Sequence, residues 1–87
     1  MQNNFKFTLV PEQIDEIIVS ELKKSYEGIV GDIIDLKSKS KLKDYQKQDL
    51  KNFKKIKKSI KNTLKYYMTY GEAKEYFYSV KNIYGKV

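Results

Sequence analysis

Seven lysines, Lys43, Lys47, Lys51, Lys54, Lys58, Lys61 and Lys65, follow one another at steps of four, four, three, four, three and four residues. On a helix this spacing puts them within about 80° of one another, as a stripe about 33 Å long. A row of ammonium groups attracts anions, and that length is close to one turn of duplex DNA. Lys is a point charge without the planar fork with which Arg reads guanine, so such contact carries little sequence specificity. Tyr66 lies beside the stripe and, with Tyr45 and Tyr70, is expected to be exposed and able to stack on a base of a single strand. Like charges one turn apart repel by a few tenths of a kcal/mol, and only Asp44 and Asp49 lie near enough to offset them. The stripe therefore gains stability when an anionic surface meets it.

The competing reading of the same residues is a solubilising face. All 18 basic residues are Lys, and the abundance of Asn, Ile and Tyr beside them points to a coding genome rich in A and T. Such a bias would place Glu as readily as Lys, yet no Glu occurs between Gly28 and Gly71. Charge is also segregated along the chain. Residues 1–36 hold three Lys against seven acids, residues 37–65 hold twelve against two, and residues 66–87 hold three against two, for net charges of −4, +10 and +1. Both readings remain open on the sequence.

Other chemistry finds little support in the inventory. There is no His to act as a base near neutral pH and no Cys to serve as a thiolate, and Ser20, Ser25, Ser59 and Ser79 have no evident activating partner. Asp32 with Asp35, and Glu72 with Glu75, are spaced to flank a metal or a sugar bond, but such pairs occur by chance on most charged helices. The four glycines are scattered and "GIVGD" lacks the Lys and hydroxyl of a phosphate loop. The expectation is a non-enzymatic protein with no metal and no cofactor.

The elements that must position the lysines follow from periodicity. "FKFTLV" alternates Phe5, Phe7 and Leu9 with polar residues and reads as a short extended arm. Pro11 suits a helix start, with Glu12, Asp15 and Glu16 in the first turns. Ile14, Ile17, Ile18, Leu22 and Tyr26 make one stripe, and Gly28 is the expected stop, so a first helix is predicted from Pro11 to Glu27 with Glu12, Glu16 and Glu27 turned outward. Residues 29–41 read as a short fourth helix or a loop, because Gly28 and Gly31 weaken a helix around Ile29, Val30, Ile33 and Ile34. From Leu42 to about Thr69 the positions Leu42, Gln46, Leu50, Phe53, Ile56, Ile60, Leu64, Tyr67 and Met68 fall within about a third of the circumference and predict one long amphipathic helix, ended by Gly71 in the left-handed conformation. Ala73, Tyr76, Phe77, Val80, Ile83 and Tyr84 predict a last helix up to Gly85. With 87 residues, no linker and no internal repeat, the predicted architecture is a single all-α domain, a small bundle of three main helices.

Two segments, "PEQIDEIIVSELKKSYE" (Pro11 to Glu27) and "LKYYMTYGEAKEYF" (Leu64 to Phe77), resemble small uncharacterised proteins of tailed bacteriophages, which pair F-x-L-[ST]-x-E-Q-[IV]-D with a later Y-Y-M. The resemblance covers about a third of the chain and departs from the pattern at Val10, where Ser or Thr is expected. It implies a phage origin and a host-cytoplasmic setting, which the lack of a signal peptide or transmembrane run fits. Its motifs are helix-packing patterns and bring no functional residues, and the Lys-rich middle lies outside it. The expected partners are a DNA or RNA backbone, an acidic host protein or, since the apolar faces are generous for so short a chain, a second copy. The apolar stripe of the long helix is better used inside the bundle than on a lipid surface.

Overall fold

A computed structural model describes residues 11–85, so the arm expected at Phe5, Phe7 and Leu9 lies outside the described residues. The chain forms three helices, α1 (Pro11–Lys37), α2 (Asp44–Tyr67) and α3 (Tyr70–Tyr84), and no strand among the described residues. The all-α three-helix bundle is as the periodicity predicts. No helix among these residues is long and apolar enough to cross a membrane.

The boundaries differ from expectation at the glycines. α1 does not stop at Gly28 but runs through Gly28 and Gly31 to Lys37. Each glycine costs a helix about 1 kcal/mol relative to Ala, whereas each large apolar side chain buried contributes about 1.5–3 kcal/mol. Tyr26, Val30 and Ile33, which flank the two glycines, are among the most buried residues of the protein. Tertiary burial overrides local propensity, and residues 29–37 become the last turns of α1 instead of a fourth helix. The polar run that follows is a connection, with Ser38 N–H donating to Ile34 O at 2.9 Å and Ser38 Oγ to Asp35 O at 2.7 Å.

Gly71 likewise ends nothing. It lies in the first turn of α3, and Gly85, with φ of 84°, is the one glycine of positive φ among the described residues. α2 ends at Tyr67 because Met68 and Thr69 turn extended (ψ of 151° and 160°), and α3 restarts at once on a reciprocal cap. Glu72 N–H donates to Thr69 Oγ1 at 3.2 Å, and Thr69 N–H donates to Glu72 Oε1 at 3.0 Å. The signal is Thr69-x-x-Glu72, the sequence form of a capping box.

The core joins Tyr26 and Val30 of α1, Leu64 of α2 and Val80 of α3, with Leu22, Ile34, Ile60, Met68 and Phe77 packed around them. α1 packs chiefly on α2, and α3 folds back beside both. Several residues of the expected apolar stripes stay outside this core: Ile14, Ile17, Ile56 and Ile83 are 42%, 52%, 45% and 72% exposed. Once α1 is one continuous helix centred on Tyr26, Val30 and Ile33, Ile17 falls about 180° and Ile14 about 120° from the buried face. Ile56 and Ile83 sit about 70–80° from the centres of their own apolar faces, at the stripe edges.

Candidate nucleic-acid interface

α2 carries the lysine stripe because its apolar positions lock one side onto α1 and leave the other to solvent. Lys43 is the N-cap residue, not a helical one, and its N–H donates to Gln46 Oε1 at 2.9 Å. An ammonium offers no lone pair in return, so only half of a capping box forms there. The remaining six lysines of the stripe are helical and span about 27 Å at 1.5 Å per residue.

Lys43, Lys47, Lys51, Lys54, Lys58 and Lys65 are exposed, and no carboxylate lies within salt-bridge distance of them among the described residues. Lys61 is half-buried, with its Nζ over the Phe77 ring at 5.0 Å from the centroid, so it is shared between surface and core. Tyr66 is 83% exposed and packs edge-on against Tyr67 with centroids 5.3 Å apart. It lies about 60° beyond the stripe's edge on the helix circumference, so it flanks the stripe's C-terminal end and does not interleave with it. Tyr45 and Tyr70 are exposed as expected, at 62% and 83%.

Three further lysines belong to this basic region. Lys55 is exposed and lies between the stripe and Tyr66 on the helix circumference. Lys57 is half-buried, about 40° off the opposite edge of the stripe and among the apolar positions of α2. Lys37, in the last turn of α1, comes to the same place, and Lys37, Lys54, Lys57, Lys58 and Lys61 together line a shallow concavity of about 380 Å³. Burial pushes the Lys57 ammonium below its ordinary value, and the like charges of Lys61, Lys37 and Lys54 push it further the same way. The sequence signal for Lys57 is a charge inside an apolar arc; for Lys37 a first helix that stops at Glu27 offers none.

A second concavity is of the other sign. An open groove of about 920 Å³ between α1, α3 and the end of α2 is lined by five carboxylates, Asp15, Glu16, Glu27, Glu72 and Glu75, and by two lysines, Lys23 and Lys24. Glu27 does not point outward as expected. Tyr76 Oη donates to Glu27 Oε2 at 2.8 Å and Tyr84 Oη to Glu27 Oε1 at 3.2 Å, so one carboxylate ties α1 to α3 through two phenols. Burial first, then these bonds to Glu27, raise Tyr76 far above the ordinary phenol value, and the bond to Glu27 raises Tyr84. Glu72 is held below the usual carboxylate range by its two Thr69 bonds and is occupied as a cap. Among the described residues no group of three or more acidic side chains could hold a metal ion. No family model, curated protein or solved structure matches the chain.

Proposed function

We propose that this chain is a non-enzymatic, phage-encoded accessory protein of the host cytoplasm that acts by binding, with α2 contacting a DNA or RNA backbone without sequence specificity. The observation that carries this reading is the run of exposed, carboxylate-free lysines on one side of α2, extended around the helix by Lys55 and across to α1 by Lys37. Each lysine that meets a phosphate releases a condensed counterion, so affinity is steeply dependent on salt. An electrophoretic shift titrated with salt tests it. With about six phosphate contacts, affinity for duplex or single-stranded DNA or RNA falls on the order of a thousandfold between 50 and 200 mM salt. Absence of binding to any of these at about 50 mM salt overturns it.

A second reading rests on the acidic groove between α1 and α3. A molecule acidic on one side and basic on the other can dock onto an acidic host or defence protein, serve as a minor virion component, or pair with a copy of itself. In that case Lys47→Gln, Lys51→Gln, Lys54→Gln and Lys58→Gln together leave the biological role intact if the stripe is only a solvated flank.

A further inference from the structure

Two bands run side by side along α2. In "KNFKKIKKSIKNTLKYY", the stripe lysines Lys51, Lys54, Lys58, Lys61 and Lys65 are each followed at once by a second residue, Asn52, Lys55, Ser59, Asn62 and Tyr66, and every one of these followers is exposed. At 100° per residue the followers fall within about 80° of one another, in a band that begins about 20° beyond the stripe's edge. Each turn therefore offers a cation and, beside it, an amide, a hydroxyl, a second ammonium or an aromatic ring. Gln48, which follows Lys47, extends the band, and its Nε2 donates to Asn52 Oδ1 at 3.1 Å, which leaves the Asn52 NH2 to donate outward. No acidic residue occurs from Leu50 to Gly71 to repel a phosphate chain.

The far flank of α2 decides between a duplex and a single strand. A helix lying in the major groove has a row of phosphates on each side, because the groove is about 12 Å wide and a helix with its side chains about 10–12 Å across. Beyond the second band α2 presents Tyr45, Ile56 and Thr63, all exposed, and no lysine. One phosphate row fits this helix, and two do not. Tyr66, held by its edge-on contact with Tyr67, points the same way. In a duplex each base face is covered by the next pair, whereas an unpaired base offers its face to an exposed ring.

We propose that α2 binds single-stranded nucleic acid in preference to duplex, with the phosphates along the lysine stripe, the bases over Asn52, Ser59 and Asn62, and Tyr66 stacked on a base at the C-terminal end. The proposal deepens the nucleic-acid reading of α2 and rests on it. From Lys51 to Tyr66 the two bands run about 22 Å, which is the length of about six nucleotides at about 3.4 Å each. Lysine holds the backbone as a point charge, and stacking accepts any base, so the preference is for strandedness and not for sequence.

Fluorescence-anisotropy titration of the full chain with a labelled mixed-sequence oligonucleotide, as a single strand and as its duplex, at about 50 mM salt tests the proposal. The single strand should bind about tenfold or more tightly than the duplex. Tyr66→Leu, which keeps an apolar side chain at an exposed position, should weaken single-strand binding by about tenfold at unchanged helicity and unchanged salt slope, and leave duplex binding within about twofold. Tyr66→Phe keeps the ring and should bind the single strand within about twofold of the natural chain. Duplex bound as tightly as single strand, or Tyr66→Leu weakening both forms equally or neither, overturns the proposal while salt-steep binding of both forms leaves the backbone reading of α2 standing. If neither form binds, the backbone reading falls and this one falls with it.

Discussion

Glu27 sets the docking of α3, because both of its oxygens accept from phenols on that helix. A hydrogen bond to a charged acceptor contributes more than a neutral one, but this site is only partly buried, so Tyr76→Phe should cost about 1 kcal/mol in urea unfolding at pH 7. The pH dependence has a definite sign. Tyr76 and Tyr84 are raised in the fold from the ordinary phenol value of 10.0, so the folded state holds their protons more tightly than the unfolded chain does. Their contribution is fully present below about pH 10 and is lost as pH rises from there through the raised folded values. Urea titrations at neutral pH and above pH 10 should therefore show a steeper alkaline loss of stability for the natural chain than for Tyr76→Phe; an equal loss would mean that the Tyr76–Glu27 bond does not couple α3 to α1. A Glu on a charged helix reads as solvated, and nothing in its local sequence says that tyrosines about fifty positions later will bind it.

At the scale of elements, the two glycines inside α1 are the most direct test of why the helix continues. A Cβ added at Gly28 or Gly31 would meet nothing within 4 Å, and neither glycine has positive φ. Gly28→Ala and Gly31→Ala should each stabilise by about 0.5–1 kcal/mol, read as a higher urea midpoint at unchanged slope. Gly85→Ala should act in the opposite sense, by about 1 kcal/mol, because φ of 84° is strained for a residue with a Cβ even though space is open there. Helix identity was legible because Leu64, Val80, Tyr26 and their neighbours repeat at three-to-four spacing and are the residues that pack. Helix ends were not, because Gly28, Gly31 and Gly71 carry stop signals in isolation that burial on a partner helix, or a Thr69–Glu72 cap, overrules. The basic stripe of α2 was readable from spacing alone, whereas the concavity beside it required the true end of α1.

The whole molecule is polarised by how its three helices are assembled: the acidic groove is built from α1 and α3, and the basic region from α2 and the end of α1. On α1 the groove is lined by residues 15–27 and the basic concavity by Lys37, so the field at each is partly opposed by the other at low salt and independent of it once screening is short. Ile14 and Ile17 lie on α1 away from the Tyr26 face, outside the core cluster.

The connection between α1 and α2 has a consequence for how the protein can be taken apart. Lys39 and Lys41 are exposed and non-helical, whereas Lys47 to Lys65 are held within α2. A protease that cuts after lysine needs locally extended chain, so dense lysine content does not make α2 the weak point. Limited trypsin digestion followed by mass spectrometry should find the first cuts within residues 11–85 after Lys39, Lys41 or Lys43, giving an α1 fragment and an α2–α3 fragment that stay together through Tyr26, Val30, Leu64 and Val80. First cuts inside α2 would instead mean that this helix opens more readily than the loop before it. The nicked pair would offer a two-piece form of the protein, in which either fragment can be exchanged for a labelled or altered one without resynthesising the other.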